Sequence, residues 1–424
     1  MPIIRPFKAI LYDTQKISLV NVVAPPYDVI STEQQEELYK RHPQNIIRLE
    51  LSREKNPYDS AAQQFAQWKK DAMMISDASP AIYILSQSFN LPDGKHYERT
   101  GFVAACRLEE FGKGLIYPHE KTHSGPKEDR LKLFHATGAI FSQIFSLYSD
   151  EQSVLDAHIR TAMNAQPDLD VEFERVRNRV WKITDGKIIS AFADAVKTKK
   201  VYIADGHHRY ETALAYRDEM KQKNPNHTGD EPYNFVQMCF VNIHQPGLIV
   251  LPTHRVVHGL PDFNTNEFLE TLKEHFHLDL CATPEELLND LANRGARAYG
   301  LVLPEFPYYV LFWLREAKML NSLGIPFGVA KLDVTVLHQF VLKDILNISE
   351  ESQEKKLNLE YVKDSQQVFQ LVKERKMQFG FILNPTPVEQ VQAVAELNLV
   401  MPQKSTYFYP KLLSGLITYS FVDA

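Results

Sequence analysis

The stretch Tyr202–Leu214, YIADGHHRYETAL, sets Asp205, Gly206, His207, His208 and Arg209 side by side. Each suits phosphate or proton chemistry. A carboxylate such as Asp205 can hold Mg2+ or accept a hydroxyl proton. Gly206 can take a backbone φ that other residues resist, or let the backbone approach a ligand closely. His207 and His208 can donate hydrogen bonds or move protons, and Arg209 offers a fork of donors that matches phosphate. The flanks say where these residues sit. VYIAD is apolar and β-branched and reads as a strand ending at Asp205. RYETALAYRDEM is a good helix former, with a helix expected from about His208 to Lys223. DGHH then lies between a strand's carboxyl end and a helix's amino end, where unpaired N–H groups and the helix dipole favour anions. The plainer alternative makes Asp205 the N-cap, Gly206 a turn residue and the histidines surface polar groups. Two histidines and an arginine exceed what a cap requires.

Four further stretches concentrate polar chemistry. PHEKTHSGPKEDR, residues 118–130, reads as a polar loop with Lys121, Lys127 and Arg130 as cations, Glu120 and Asp129 as anions, and Ser124-Gly125 as a loop-forming pair. VVAPPYDVIS stiffens the chain at Pro25-Pro26 and presents Tyr27 and Asp28 ahead of a helix capped by Ser31 or Thr32. LPTHRVVHGL carries His254, Arg255 and His258. MPQKSTYFYPKLLSGL alternates Lys404, Ser405, Thr406, Tyr409 and Lys411 with aromatics. His119/His123 and His254/His258 are i, i+4 pairs, but no HExxH accompanies either, so zinc spacing is not met.

The elements that must position these residues alternate in type. NIIRLEL (45–51) reads as a strand and SAAQQFAQWKKDAMM as a helix. AIYILSQSF and RTGFVAACRLEEF read as a hairpin turned at Asp93-Gly94. In TPEELLNDLANRG, Thr283 is the expected N-cap, Pro284 the first helical residue, Glu286 the partner in a capping box and Gly295 the stop. LDVTVLHQFVLKDIL reads as a helix. A chain of 424 residues exceeds one ordinary core. The expectation is mixed α/β, with mixed sheets, in three parts: 1–150, 151–260 and 261–424. The motifs lie at loop ends in all three, so they are expected to converge on one cleft.

Bulk composition narrows the classes. Hydrophobic content of 44% with 24% charged residues is that of a soluble globular chain. The net charge of −6, from 47 basic and 53 acidic residues, argues against bulk electrostatic binding of nucleic acid. Cys106, Cys239 and Cys281 form no CxxC pair, which fits a reducing cytoplasm and no metal-thiolate centre. MPIIRPFKAILYD has no apolar signal-peptide core, and no apolar run reaches the roughly 20 residues that span a bilayer. No membrane role is expected, and oligomeric state is left open.

APPYDVIS, HEKTHSGPKEDRLKL, YIADGHHRYETAL, PTHRVV and MPQKSTYFYPKLLSGL together resemble the bacterial and archaeal family catalogued as domain of unknown function 1015. They span nearly the whole chain. His123 departs from the family's pattern, where a more apolar residue is expected. More distantly, Asp-Gly-His-x-Arg between a strand and a helix resembles the corner of the ParB/sulfiredoxin-like superfamily, which includes free serine kinases, ParB CTPases and sulfiredoxins. Asp205, Gly206, His207 and Arg209 match it, with His208 in the variable slot. The resemblance implies a ParB-like core with additional N- and C-terminal α/β parts. In the serine kinases this corner grips nucleotide phosphates and an acidic residue is the base for the serine hydroxyl.

The leading expectation is phosphoryl transfer between a nucleotide (ATP, ADP or CTP) and a small hydroxylated metabolite, with free L-serine first. Such chemistry is mainly positioning and charge neutralisation. Gly206, His207, His208 and Arg209 would form the cradle. Lys121, Ser124, Gly125, Lys127, Arg130, Arg255, Lys404, Ser405 and Thr406 are the further phosphate or nucleotide contacts. Asp205 would hold Mg2+ or act as base, with Glu120 and Asp28 as alternative bases. The other readings are a nucleotide-gated regulatory protein with slow nucleotidase activity, and a metal-dependent phosphohydrolase. No helix-turn-helix or basic stripe supports a DNA-binding branch.

Overall fold

A computed structural model describes residues 1–120, 124–304 and 306–422. The chain divides into two compact units. The first comprises Met1–Pro118, Thr122–Ile249 and Pro410–Ala424, and the second His119–Lys121 and Val250–Tyr409. The architecture is mixed α/β.

The first unit is built on a nine-stranded sheet. Its centre is the expected hairpin, Ile82–Asn90 against His96–Arg107, with Gly94 at φ 80° in the turn. Outward from His96–Arg107 come Phe235–Asn242, Ile144–Tyr148, Val201–Asp205 and Ile116–Tyr117. The strand Val201–Asp205 runs antiparallel to Ile144–Tyr148 and parallel to Ile116–Tyr117, so the sheet is mixed. Val176–Ile183 and Leu169–Phe173 extend the opposite side. Val201, Tyr202, Ile203 and Ala204 are all buried, which explains why this strand is apolar along its length rather than alternating. The register shifts between Ile203 and Asp205, a bulge that re-aims the strand's last carboxylate.

The second unit carries a six-stranded sheet in the order Phe276–Cys281, Tyr309–Leu314, Ala298–Val302, Phe379–Leu383, His254–Val257 and Leu359–Val362. Every pairing in it is antiparallel. Both faces are covered. Phe379, Phe381 and Val257 pack on one side with the helix Thr265–His275 and the 333–345 segment. Ile382 and Val256 pack on the other with Pro284–Arg294 and Ser365–Lys373. That alternation is the period-2 pattern of the strands expressed as two cores.

Two sequence expectations are corrected. Residues 45–51 are not a strand: Ile47–Glu50 forms a helical turn. Asn45 starts it, its side-chain oxygen accepting from Ile47 N at 3.0 Å, and the turn buries Ile46, Ile47 and Leu49. This packing overrides the β-branched propensity. Nor is the 118–130 segment loop to its end, because the helix Ser124–Thr137 starts within it. The helix expected over 332–346 forms as an α-turn, Asp333–Val336, running into a π-helix, Leu337–Ile345. The capping box holds: Thr283 Oγ1 accepts from Glu286 N at 3.1 Å, while Glu286 reaches back to Ala282 N at 2.6 Å. No helix among the described residues is long and apolar enough to cross a membrane.

Candidate functional site

Gly206 has φ 89° and ψ 28°, a left-handed geometry that turns the strand directly into the helix His207–Lys223. The positive φ favours glycine, and a Cβ at this position would crowd the Arg209 guanidinium at 3.0 Å. The N-cap is Gly206, not Asp205. The Asp205 carboxylate instead meets Lys411 Nζ at 3.2 Å and Arg209 Nη2 at 3.7 Å. Burial works to raise the Asp205 carboxyl, but Lys411 and then Arg209 outweigh it and hold the group well below the usual carboxylate range. Asp205 is therefore ionised at neutral pH and is a weak proton acceptor.

Arg209 is buried and committed. Its Nη1 donates to Ser142 Oγ at 3.0 Å and to Gln143 O at 2.6 Å. Ser142 leads onward, since its hydroxyl also favours the ionised form of Glu50. Glu50 accepts from Arg130 Nη1 at 2.5 Å, and Arg130 Nη2 donates to the Glu50 carbonyl at 2.7 Å. Arg130 also holds Asp129 Oδ2 through Nε at 2.8 Å, and its guanidinium lies 4.2 Å from the centre of the Tyr27 ring. Burial opposes the charge on Arg130, but Glu50, Asp129 and Tyr27 more than restore it. Burial raises the Glu50 carboxyl, and Arg130 and Arg209 pull it only part of the way back. Burial, then Asp28, push the Tyr27 hydroxyl up. One network of alternating charge thus runs Asp129–Arg130–Glu50–Ser142–Arg209–Asp205–Lys411. Tyr27 lies against it, and Asp28, exposed on the turn Tyr27–Val29, acts on it.

The network joins four of the five sequence stretches. Lys127 belongs to the same unit, its Nζ donating to Glu211 Oε2 of the corner helix at 2.6 Å. Ser124 and Gly125 open the helix Ser124–Thr137. A cavity of about 170 Å3 adjoins Glu50 and Arg130 and is also lined by Tyr58, Asp129 and Ser52. Lys121 and His123 lie outside the described residues.

The second unit holds the remaining candidates. Glu120 Oε1 receives the Thr406 hydroxyl at 3.3 Å, and His119 Nε2 lies 2.9 Å from the same hydroxyl. Ser405 Oγ donates to Pro402 O at 2.5 Å. Arg255 is buried, with Nε donating to His338 Nε2 at 3.2 Å and Nη2 to Lys404 O at 3.1 Å, while Nη1 donates to Thr253 O. Burial lowers Arg255 to about 10. His254 accepts from Leu383 N through Nδ1 at 3.1 Å within the sheet, and burial, then Arg255, lower it to about 4. No group of three or more His, Cys, Asp or Glu that could hold a metal occurs among the described residues.

Sequence reading missed Glu50, Ser142, Arg99 and Gln87. Buried Arg99 donates to Pro410 O at 2.5 Å and to Gln87 Oε1, and Gln87 Nε2 donates to Lys411 O at 3.1 Å. These contacts fix the backbone that carries Lys411. The available signal was a polar residue inside an apolar run: Glu50 in NIIRLEL and Gln87 in IYILSQSF.

A profile of the family described as "Protein of unknown function (DUF1015)" matches residues 4–335. Among solved structures, the chain is similar to a free serine kinase in complex with AMP, at 14% identity and a TM-score of 0.36, covering 72% of this chain and 89% of that one. It is similar to a conserved hypothetical protein from Pyrococcus furiosus at 13% identity and a TM-score of 0.35, covering 72% and 92%. A third similar structure is C-terminally truncated SbnI from Staphylococcus aureus, at 12% identity and a TM-score of 0.34, covering 74% and 86%. Among curated proteins none matches.

Proposed function

The chain belongs to the DUF1015 family, and we propose that its first unit transfers a phosphoryl group between a nucleotide and a small hydroxylated metabolite, with free L-serine as acceptor. The observation that carries this reading is the Asp205–Arg209 corner itself. A left-handed glycine at the N-cap turns a strand into a 17-residue helix. Two cations, Lys411 and Arg209, flank the Asp205 carboxylate there. The helix dipole and these cations favour an incoming phosphate. The acceptor follows from the likeness of Asp205, Gly206, His207 and Arg209 to the Asp-Gly-His-x-Arg corner.

In this reading the backbone at Gly206 and His207, the His208 side chain and Lys411 Nζ receive the phosphates. Arg209 is a positioning residue, tied to Ser142, Gln143 and Asp205. Asp205 orients Lys411 and is too acidic to take a hydroxyl proton. Asp28 is the exposed carboxylate acting on the network and is our choice of base over Asp205 and Glu120. The cavity beside Glu50 and Arg130 seats the acceptor. Asp205 does not offer an open Mg2+ ligand, because Lys411 and Arg209 already neutralise it. A divalent ion would enter with the nucleotide as substrate.

Phosphorus NMR tests this with L-serine and the magnesium salts of ATP, ADP and CTP in turn. The expected result is a phosphoserine resonance with at least one donor. Asp28→Asn abolishes it while nucleotide signals still broaden, and Asp205→Asn weakens the broadening itself. Broadening without transfer from any donor would replace this reading with a nucleotide-gated binding protein. Neither transfer nor broadening would overturn the phosphate role of the corner.

A further inference from the structure

The second unit encloses a cavity of about 420 Å3 that the proposed phosphoryl transfer does not use. Its volume is that of a pocket for a whole small molecule. One wall is apolar, with Val329 and Leu399. Thr335, His338, Tyr361 and Lys404 are among the polar groups that line it.

Three features of these groups call for a ligand. Thr335 is 2% exposed, yet its Oγ1 has no hydrogen-bond partner among the described residues. A buried hydroxyl without a partner is unfavourable, and a ligand atom that bonds it removes the penalty. His338 accepts from Arg255 through Nε2, and arginine can only donate, so the neutral ring carries its proton on Nδ1. That leaves Nδ1–H as the donor the ring can offer. Burial, reinforced by Arg255, holds His338 well below the ordinary imidazole value, so the ring stays neutral at pH 7. Lys404 stands at φ 56°, a left-handed conformation unusual for lysine, while Arg255 Nη2 grips its carbonyl.

The backbone around the cavity is also unusual. Thr335 and His338 flank the point where the α-turn Asp333–Val336 widens into the π-helix Leu337–Ile345, and such widening is frequent at binding sites. The electrostatics favour an anion. Lys404 has no ion-pair partner among the described residues, and buried Arg255 stands directly behind His338 and Lys404. Glu350, a carboxylate on the wall, is held by Lys343 at 3.1 Å and Gln339 at 3.3 Å.

We propose that this cavity is a second binding site, for a small organic anion: a carboxylate or phosphate monoester on a ring or short alkyl body. Thr335 Oγ1, His338 Nδ1 and Lys404 Nζ bind the anionic head, and Val329 and Leu399 cover the body. Arg255 is the positioning residue that fixes both His338 and Lys404.

The test is titration calorimetry on the full chain at pH 7 with phenyl phosphate, benzoate and hexanoate, and with benzyl alcohol as the neutral control. At least one anion is expected to bind one-to-one and at least tenfold more tightly than benzyl alcohol. Phosphate or carboxylate preference identifies the head group. Thr335→Val, which keeps the side-chain shape, and Lys404→Met are each expected to weaken that anion by roughly tenfold. Melting temperatures of both variants check that the fold is kept. Asp205→Asn, in the first unit, is expected to leave this binding unchanged, which separates it from the nucleotide reading. Anions that bind no better than benzyl alcohol would overturn the site. So would binding that survives both substitutions in folded protein.

Discussion

Asp205 shows how a single residue's role is set by its partners. As a carboxylate at a strand end it could be a cap, a base or a metal ligand. Lys411 at 3.2 Å makes it a stably ionised anchor instead. Removing that ammonium by Lys411→Met is expected to destabilise the protein by about 1.5–3 kcal/mol at pH 7, the range for a hydrogen bond to a charged group. The pH dependence has a definite sign. The folded Asp205 carboxyl is depressed, so its stabilisation is complete above the unfolded value of roughly 4 and is lost as pH falls through the folded value. The gap between wild type and Lys411→Met, read from urea unfolding midpoints, should therefore be present at pH 7 and shrink below about pH 4. A gap of the same size in acid would show that the contact is packing rather than charge.

At the scale of elements, the helix Ser124–Thr137 is locked to the turn Ile47–Glu50 by Arg130. Arg130→Met leaves Glu50 buried without its main partner, at a cost of about 3–5 kcal/mol. Glu50→Gln added to that variant removes the orphaned charge and should recover most of the loss. Amide exchange within residues 124–137 reports this locally. A double variant no better protected than Arg130→Met would mean that the clamp acts by shape alone. Elements governed by neighbours in sequence were legible: the hairpin at Asp93-Gly94 and the capping box at Thr283 and Glu286 form as their local chemistry requires. Residues 45–51 were not, because the burial that selects a helical turn there comes from distant segments.

For the whole molecule, the three cysteines report the integrity of both cores. Cys106 and Cys239 are buried in the first unit and Cys281 in the second. Burial raises all three thiols, Cys239 to about 12 and Cys281 to about 11. A chromogenic thiol reagent at pH 8 should therefore find almost no reactive thiol in the native chain and all three in denaturant. Rapid native labelling would mean that one core opens readily. Sequence alone determined the strand, the DGHHR corner and the helix that follows, because these depend on contacts within a few residues. It also marked Asp28, Arg130, Asp205, Arg209 and Lys411 as members of polar motifs suited to phosphate chemistry. Only the tertiary structure decided who their partners are. A buried charge is satisfied by whichever opposite charge the sheet order brings beside it. Lys411 reaches Asp205 because Arg99 and Gln87 hold the returning C-terminal segment in place. No local pattern encodes that return.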